Sequence, residues 1–153
     1  MLIPVPHRRQ HSSSDCLGAC AYMVLEHLAQ HPIYDDLLKV LDIGPIGAPR
    51  RNIVRLGSRN ISVVYREATV AILLDLLQQG LPVIVFVDTG ELPYWSSATN
   101  HAVVVVGADA EQLLVNDPAY PEAPIAVSIG DFELAWLNCE YMCAVIRTIQ
   151  KPY

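Results

Sequence analysis

Leu17, Cys20, Ala21, Val24, Leu25 and Leu28 recur at helical spacing, and this pattern predicts a helix over Cys16 to Gln30 whose first turn Ser14 or Asp15 can cap. A second helix is expected from Tyr34 to Leu41, started by Pro32 and ended by Gly44-Pro45. The turn-rich stretch from Gly44 to Pro49 reads as a loop, and Arg50 to Arg59 as a third helix. The pattern then changes. Ile61 to Tyr65 reads as a strand, Ala68 to Gln79 as an amphipathic helix closed by Gly80, and Pro82 to Val87 as a near-continuous β-branched strand of the buried kind. Ala102 to Gly107 and Gln112 to Asn116, separated by four residues, suit a hairpin. Ile125 to Ile129 and Met142 to Ile149 supply further strands, with a short helix from Asp131 to Leu137 between them.

Helices first and an antiparallel sheet afterwards predict an α+β domain, an N-terminal helical lobe joined to an antiparallel sheet lobe, with residues 1–153 forming one domain. At 52% hydrophobic, the chain can bury a substantial core. Its net charge of -6 argues against nucleic acid or an anionic membrane as partner, because phosphate binding needs a broad basic surface. The one local basic cluster, His7, Arg8, Arg9 and His11, reads either as a solvated arm or as a substrate-facing rim. The opening residues lack the features of a secretion signal. The longest apolar runs fall far short of the ~20 residues of a membrane helix. Four cysteines without a disulfide framework fit a reducing, cytoplasmic setting.

Candidate chemistry lies in four residues. Cys16 falls at the start of the first helix, where free backbone N–H groups and the helix dipole favour a sulfur anion. His101 opens a strongly apolar strand, a position that suits either a general base or a satisfied core histidine. Asp117 ends the next strand, so the hairpin would bring it beside the start of the His101 strand. Asn116 could orient the imidazole instead, but neighbouring strand residues point to opposite faces and only one of the two can serve. Gln10, six residues before the cysteine, could direct its amide at an oxyanion together with the Cys16 N–H. Nucleophile, base and orienting acid in that order suggest acyl transfer through a thiolate, which needs no cofactor and no metal.

The segments Arg9-Gln10-His11-Ser-Ser-Ser-Asp15-Cys16-Leu-Gly18-Ala19-Cys20, Asn100-His101 and Asn116-Asp117-Pro118-Ala119, with Asp131-Phe132-Glu-Leu-Ala-Trp136 near the end, resemble the bacteriocin-leader-processing, double-glycine-type cysteine peptidases. The resemblance implies a papain-like cysteine peptidase fold with Cys16 as nucleophile, His101 as base, Asp117 as third member and Gln10 as oxyanion donor. It also implies a peptide or protein substrate; with neither a membrane segment nor a P-loop in this sequence, any exporter is expected to be a separate partner protein. The family usually has glycine directly after the cysteine, whereas this chain has Leu17 there and Gly18 next. Leu17 could narrow or redirect the cleft, which leaves double-glycine specificity open. Tyr94 and Trp95, in the loop before His101, could form a substrate wall or lid, or simply pack on the surface.

Two other readings compete with peptide hydrolysis. One is a catalytically silent peptide-binding module of the same fold, which retention of all four residue types disfavours. The other, within the same chemistry, is acyl transfer to an amine or isopeptide cleavage, since one thioester serves all of these. Zinc binding by the pairs Cys16/Cys20 and Cys139/Cys143 is disfavoured because four-residue spacing on a strand separates sulfurs by ~13 Å.

Overall fold

A computed structural model describes residues 1–150. Its elements run α1 (Cys16–His27), α2 (Tyr34–Val40), a 3₁₀ turn (Arg50–Leu56), β1 (Ile61–Glu67), α3 (Val70–Gln78), β2 (Val83–Asp88), a short 3₁₀ turn (Thr89–Glu91), β3 (Asn100–Ala108), β4 (Gln112–Asn116), β5 (Ile125–Ser128), α4 (Ile129–Leu137) and β6 (Met142–Thr148). The six strands form one sheet in the order β1-β6-β2-β3-β4-β5, and every neighbouring pair is antiparallel.

The central strands explain the layering. β2 and β3 are buried along nearly their whole length, so both faces of the sheet must be covered. On one face Ile84, Phe86, Ala102, Val104 and Val106 pack against α1, α2 and the longer 3₁₀ turn. On the other, Val83, Val85, Val87, Val103 and Val105 pack against Leu73, Leu76 and Leu77 of α3 and Phe132, Ala135 and Trp136 of α4. The N-terminal helical lobe therefore covers one face of the antiparallel sheet, and the two later helices close the other.

Several element ends differ from the sequence pattern for local reasons. α1 stops at His27 rather than Gln30 because Ala29 takes a left-handed φ of 59°. Gln30 N–H then reaches back to the Leu25 carbonyl, a helix stop that ordinarily uses glycine. α3 ends in the same way at Gly80, where a φ of 79° suits glycine. It starts two residues late because the Thr69 hydroxyl accepts the Ile72 N–H and fixes the cap there. The helix expected over Arg50 to Arg59 is a 3₁₀ turn of seven residues, held from beneath by the buried Asn52 amide donating to the Leu41 carbonyl at 2.9 Å and ended at Gly57.

β3 carries a bulge between Val105 and Gly107, beside which the chain's first residues cross: Ile3 N–H donates to the Val106 carbonyl at 2.7 Å. A Cβ at Gly107 would collide with the Met1 carbonyl oxygen, so only glycine allows this crossing. Gly18 likewise lets α1 approach α2, since a Cβ there would meet the Leu38 side chain.

Candidate active site

Asp15 precedes α1 but does not cap it. Its carboxylate instead accepts the N–H groups of His11 (2.9 Å) and Ser12 (2.8 Å) and the Tyr34 hydroxyl (2.6 Å). These donors, acting against the cost of burial, hold its carboxyl below the ordinary range. The expectation that Ser14 or Asp15 caps the helix is therefore corrected: the carboxylate is committed to the loop before the helix and to Tyr34. The first-turn N–H groups beside Cys16 are left without a side-chain cap.

The loop preceding the helix is fastened rather than loose. Arg8 lies between two rings, 4.3 Å from the centre of Tyr22 and 4.0 Å from that of Tyr34. His7 bonds the Tyr120 carbonyl at 2.7 Å, and Gln10 N–H donates to the Pro118 carbonyl at 2.9 Å. The basic cluster is thus neither a solvated arm nor a free rim; it straps the N-terminal segment to α1, α2 and the segment after β4. Within that strap the Gln10 side-chain oxygen is buried and, among the described residues, has no hydrogen-bond partner.

His101, at the start of β3, is paired across the sheet with Val87 and is buried. Its Nε2–H donates to Asp117 Oδ1 at 2.7 Å, which leaves Nδ1 free of that bond on the ring that lines the cleft together with Cys16. Burial alone would discharge the ring, but the Asp117 hydrogen bond and the nearby Cys16 outweigh it and raise the His101 pKa to about 9. Asp117 is fully buried. Burial opposes its charge too, yet His101 and its other donors hold it below the ordinary carboxylate range. Asn116, one residue earlier on the opposite face, instead donates to the Val5 carbonyl at 3.3 Å and approaches the Met23 sulfur.

Asp117 has two further side-chain donors that its sequence context does not announce. Tyr94 Oη–H and Trp95 Nε1–H both bond Oδ2, at 2.8 and 2.9 Å, while the Ala119 N–H bonds Oδ1 at 2.9 Å. Trp95 also sets its ring against His101, with centroids 4.9 Å apart and planes at 61°. Tyr94 stays a neutral donor, its phenol pKa pushed up by burial and by the Asp117 charge. Tyr94 and Trp95 therefore sit behind the His101–Asp117 pair rather than along the cleft.

The cleft itself, of about 480 Å³, is lined by Cys16, Leu17 and His101, by the apolar Ala48, Pro49, Tyr65, Phe86 and Ala102, and by Asn100, Arg50, Arg51 and Cys139. Sequence reasoning did not bring the Ala48–Arg51 segment or Cys139 to the site, since nothing local ties them to Cys16. Arg50 makes the tie: its Nη1 donates to the Cys139 carbonyl at 3.1 Å. The cysteines do not gather. Cys20 packs in the α1 layer and Cys143 in the α3/α4 layer, and no cluster of metal-ligating side chains occurs among the described residues.

The His101–Asp117 pair predicts a pH dependence of stability. A pKa raised from 6.5 to about 9 means the folded state holds the proton more tightly, so the contribution is complete below pH 6.5 and fades as pH rises through about 9. Asp117, with its pKa lowered, loses its contribution only in acid, below its ordinary value of 3.8. Denaturant unfolding should therefore show stability falling by roughly 1–3 kcal/mol between pH 6.5 and 9. His101→Asn should flatten this fall, and an equal fall in both proteins would contradict the pairing.

Comparison with known proteins supplies three observations. The model of the Peptidase_C39 like family matches residues 2–144. No curated protein matches the chain. Among solved structures, the chain is similar to one described as a C39-like peptidase from Bacillus anthracis (15% identity, TM-score 0.80, covering 99% of this chain and 98% of that one). It is also similar to a double glycine motif protease from an AMS/PCAT transporter in complex with the leader peptide (16% identity, TM-score 0.77, 97% and 94%). A third is the peptidase domain of Streptococcus ComA, a bifunctional ABC transporter (20% identity, TM-score 0.73, 95% and 98%). At these identities the likeness establishes the shared fold, the papain-like α+β architecture read from the sequence.

Proposed function

Because the chain belongs to the Peptidase_C39 like family, we propose that it is a cysteine peptidase working through Cys16, His101 and Asp117, with Gln10 assisting at the oxyanion. The observation that carries this reading is the position of His101, bonded through Nε2 to a buried carboxylate and lining the same open cleft as Cys16. The Cys16 sulfur, as its anion, attacks the peptide carbonyl carbon. Oxygen takes up the negative charge at the uncapped start of α1. As the C–N bond breaks, the imidazolium passes its proton to the departing amine, leaving a thioester on Cys16. Water then attacks the thioester while His101 takes its proton, and the acid leaves with the thiolate restored. Asp117 holds the imidazole in the tautomer and direction this cycle needs and stabilises its positive form.

The substrate is a peptide or protein segment that enters the cleft in extended form. Leu17, not glycine, stands beside the nucleophile and lines that cleft, so its side chain shapes which residue is accepted next to the cut bond. We place the reaction in the cytoplasm because the four free cysteines include the nucleophile. Among the described residues no helix is long and apolar enough to cross a membrane.

Incubation with a diverse peptide library, followed by mass spectrometry, tests the proposal. New peptide ends and a transient acyl adduct on the Cys16-containing fragment are expected. Tight binding without cleavage would instead favour a non-catalytic peptide-binding module.

A further inference from the structure

The cleft's charge departs from that of the whole chain. The chain carries 16 acidic and 10 basic residues, yet the cleft lining includes Arg50, Arg51 and His101 and no carboxylate. Two arginines side by side do not have equal freedom. Arg50 is spent on architecture, with Nη1 on the Cys139 carbonyl at 3.1 Å and Nη2 at 3.5 Å from Glu140 Oε1. Arg51 is exposed and, among the described residues, has no hydrogen-bond or ion-pair partner. Its backbone is nevertheless well placed: the next residue, Asn52, is buried and bonded to the Leu41 carbonyl, and Ile53 lies in the core. The result is a fixed anchor with a free guanidinium at its end, on the same cleft as Cys16.

We propose that Arg51 is a specificity-determining residue that selects peptides carrying an acidic side chain close to the bond that is cut. That a bond is cut rests on the peptidase reading, but the charge selection itself is a property of binding. A guanidinium meets a carboxylate through two parallel N–H···O bonds, and Arg50 beside it adds attraction without competing for the ligand. An Asp or Glu entering this rim meets no carboxylate in the lining. A Lys in the same place meets only like charge. Because Arg51 is exposed, the discrimination is moderate, roughly 5- to 20-fold in affinity.

The test uses the full chain carrying Cys16→Ala, so that bound peptide persists. Fluorescent peptide pools, identical except for Glu or Lys at randomised positions, are titrated by anisotropy. The Glu pool should bind roughly 5- to 20-fold more tightly, Arg51→Gln should level the two, and Arg51→Glu should reverse their order. Arg51 points to solvent, so both variants should retain the parent circular dichroism and melting point. Equal affinities, an order unchanged in Arg51→Glu, or no binding of either pool would overturn the proposal. Hydrolysis by the unmodified chain is scored separately. Cleavage with no charge preference defeats the role of Arg51 and leaves the peptidase reading standing. Charge-selective binding with no cleavage does the reverse.

Discussion

Replacing Cys16 by alanine should abolish peptide cleavage, a loss on the order of 10⁴–10⁶-fold, while leaving the fold in place. The side chain lies at the first position of α1 and lines the cleft, so its removal trims a wall without opening a cavity in the core. The three other thiols give the experiment its control. Cys20, Cys139 and Cys143 are each at most 2% exposed, and burial pushes their thiol pKa values up, that of Cys143 to about 11. Such thiols react slowly at neutral pH. A peptide electrophile that alkylates thiols should therefore label the unmodified chain once, at Cys16, and should not label the alanine variant. Undiminished labelling in Cys16→Ala would assign the reactive sulfur elsewhere and remove the basis of the proposed reaction.

Asp117→Asn should be the second severe change, lowering kcat by ~10²–10⁴-fold. The carboxylate receives four donors: the His101 ring, Tyr94, Trp95 and the Ala119 N–H. A carboxamide has one acceptor oxygen and presents an NH₂ to the rest, so at least one donor faces another donor in a buried site. With the amide turned toward His101, the ring holds its proton on the wrong nitrogen and presents N–H, rather than a free nitrogen, to Cys16. The acid limb and the base limb of the pH–rate profile should both change, because the profile reports the coupled pair rather than either residue. Tyr94→Phe removes one donor and keeps its ring, Trp95→Phe removes the other and leaves a smaller ring against His101, and both should cost less, about 3- to 30-fold each, mainly in kcat. If these two instead raised KM and spared kcat, the aromatic pair would be touching substrate.

Much of this arrangement could be read from residue order because its parts are local or strongly periodic. The β3–β4 hairpin follows from two apolar runs and a four-residue gap. Asp117 and His101 fall on the same side of it because each lies an even number of residues from its own face-mates Val115 and Val103. The helix carrying Cys16 was legible from its apolar spacing, but its end was not: Ala29 adopts a conformation that no propensity assigns to alanine. The parts that escaped are those made by distant segments meeting. Nothing near Tyr94 or Trp95 announces that a loop before β3 will fold over a carboxylate after β4. Arg50 reaches across 89 residues to the Cys139 carbonyl, and without that reach the Ala48–Arg51 segment has no reason to stand beside Cys16.

The placement of Arg8 over the rings of Tyr22 and Tyr34 bears on how firmly the segment carrying Gln10 is held. A guanidinium keeps its charge throughout the range in which thiol and imidazole exchange protons, and its attraction to the flanking ring faces does not depend on their ionisation below alkaline conditions. The Arg8 contact with these two rings thus ignores the acidity changes that govern His101. The Arg8 clamp and the His101–Asp117 pair are separate fasteners, so buffer conditions can retune the second while the first stays put.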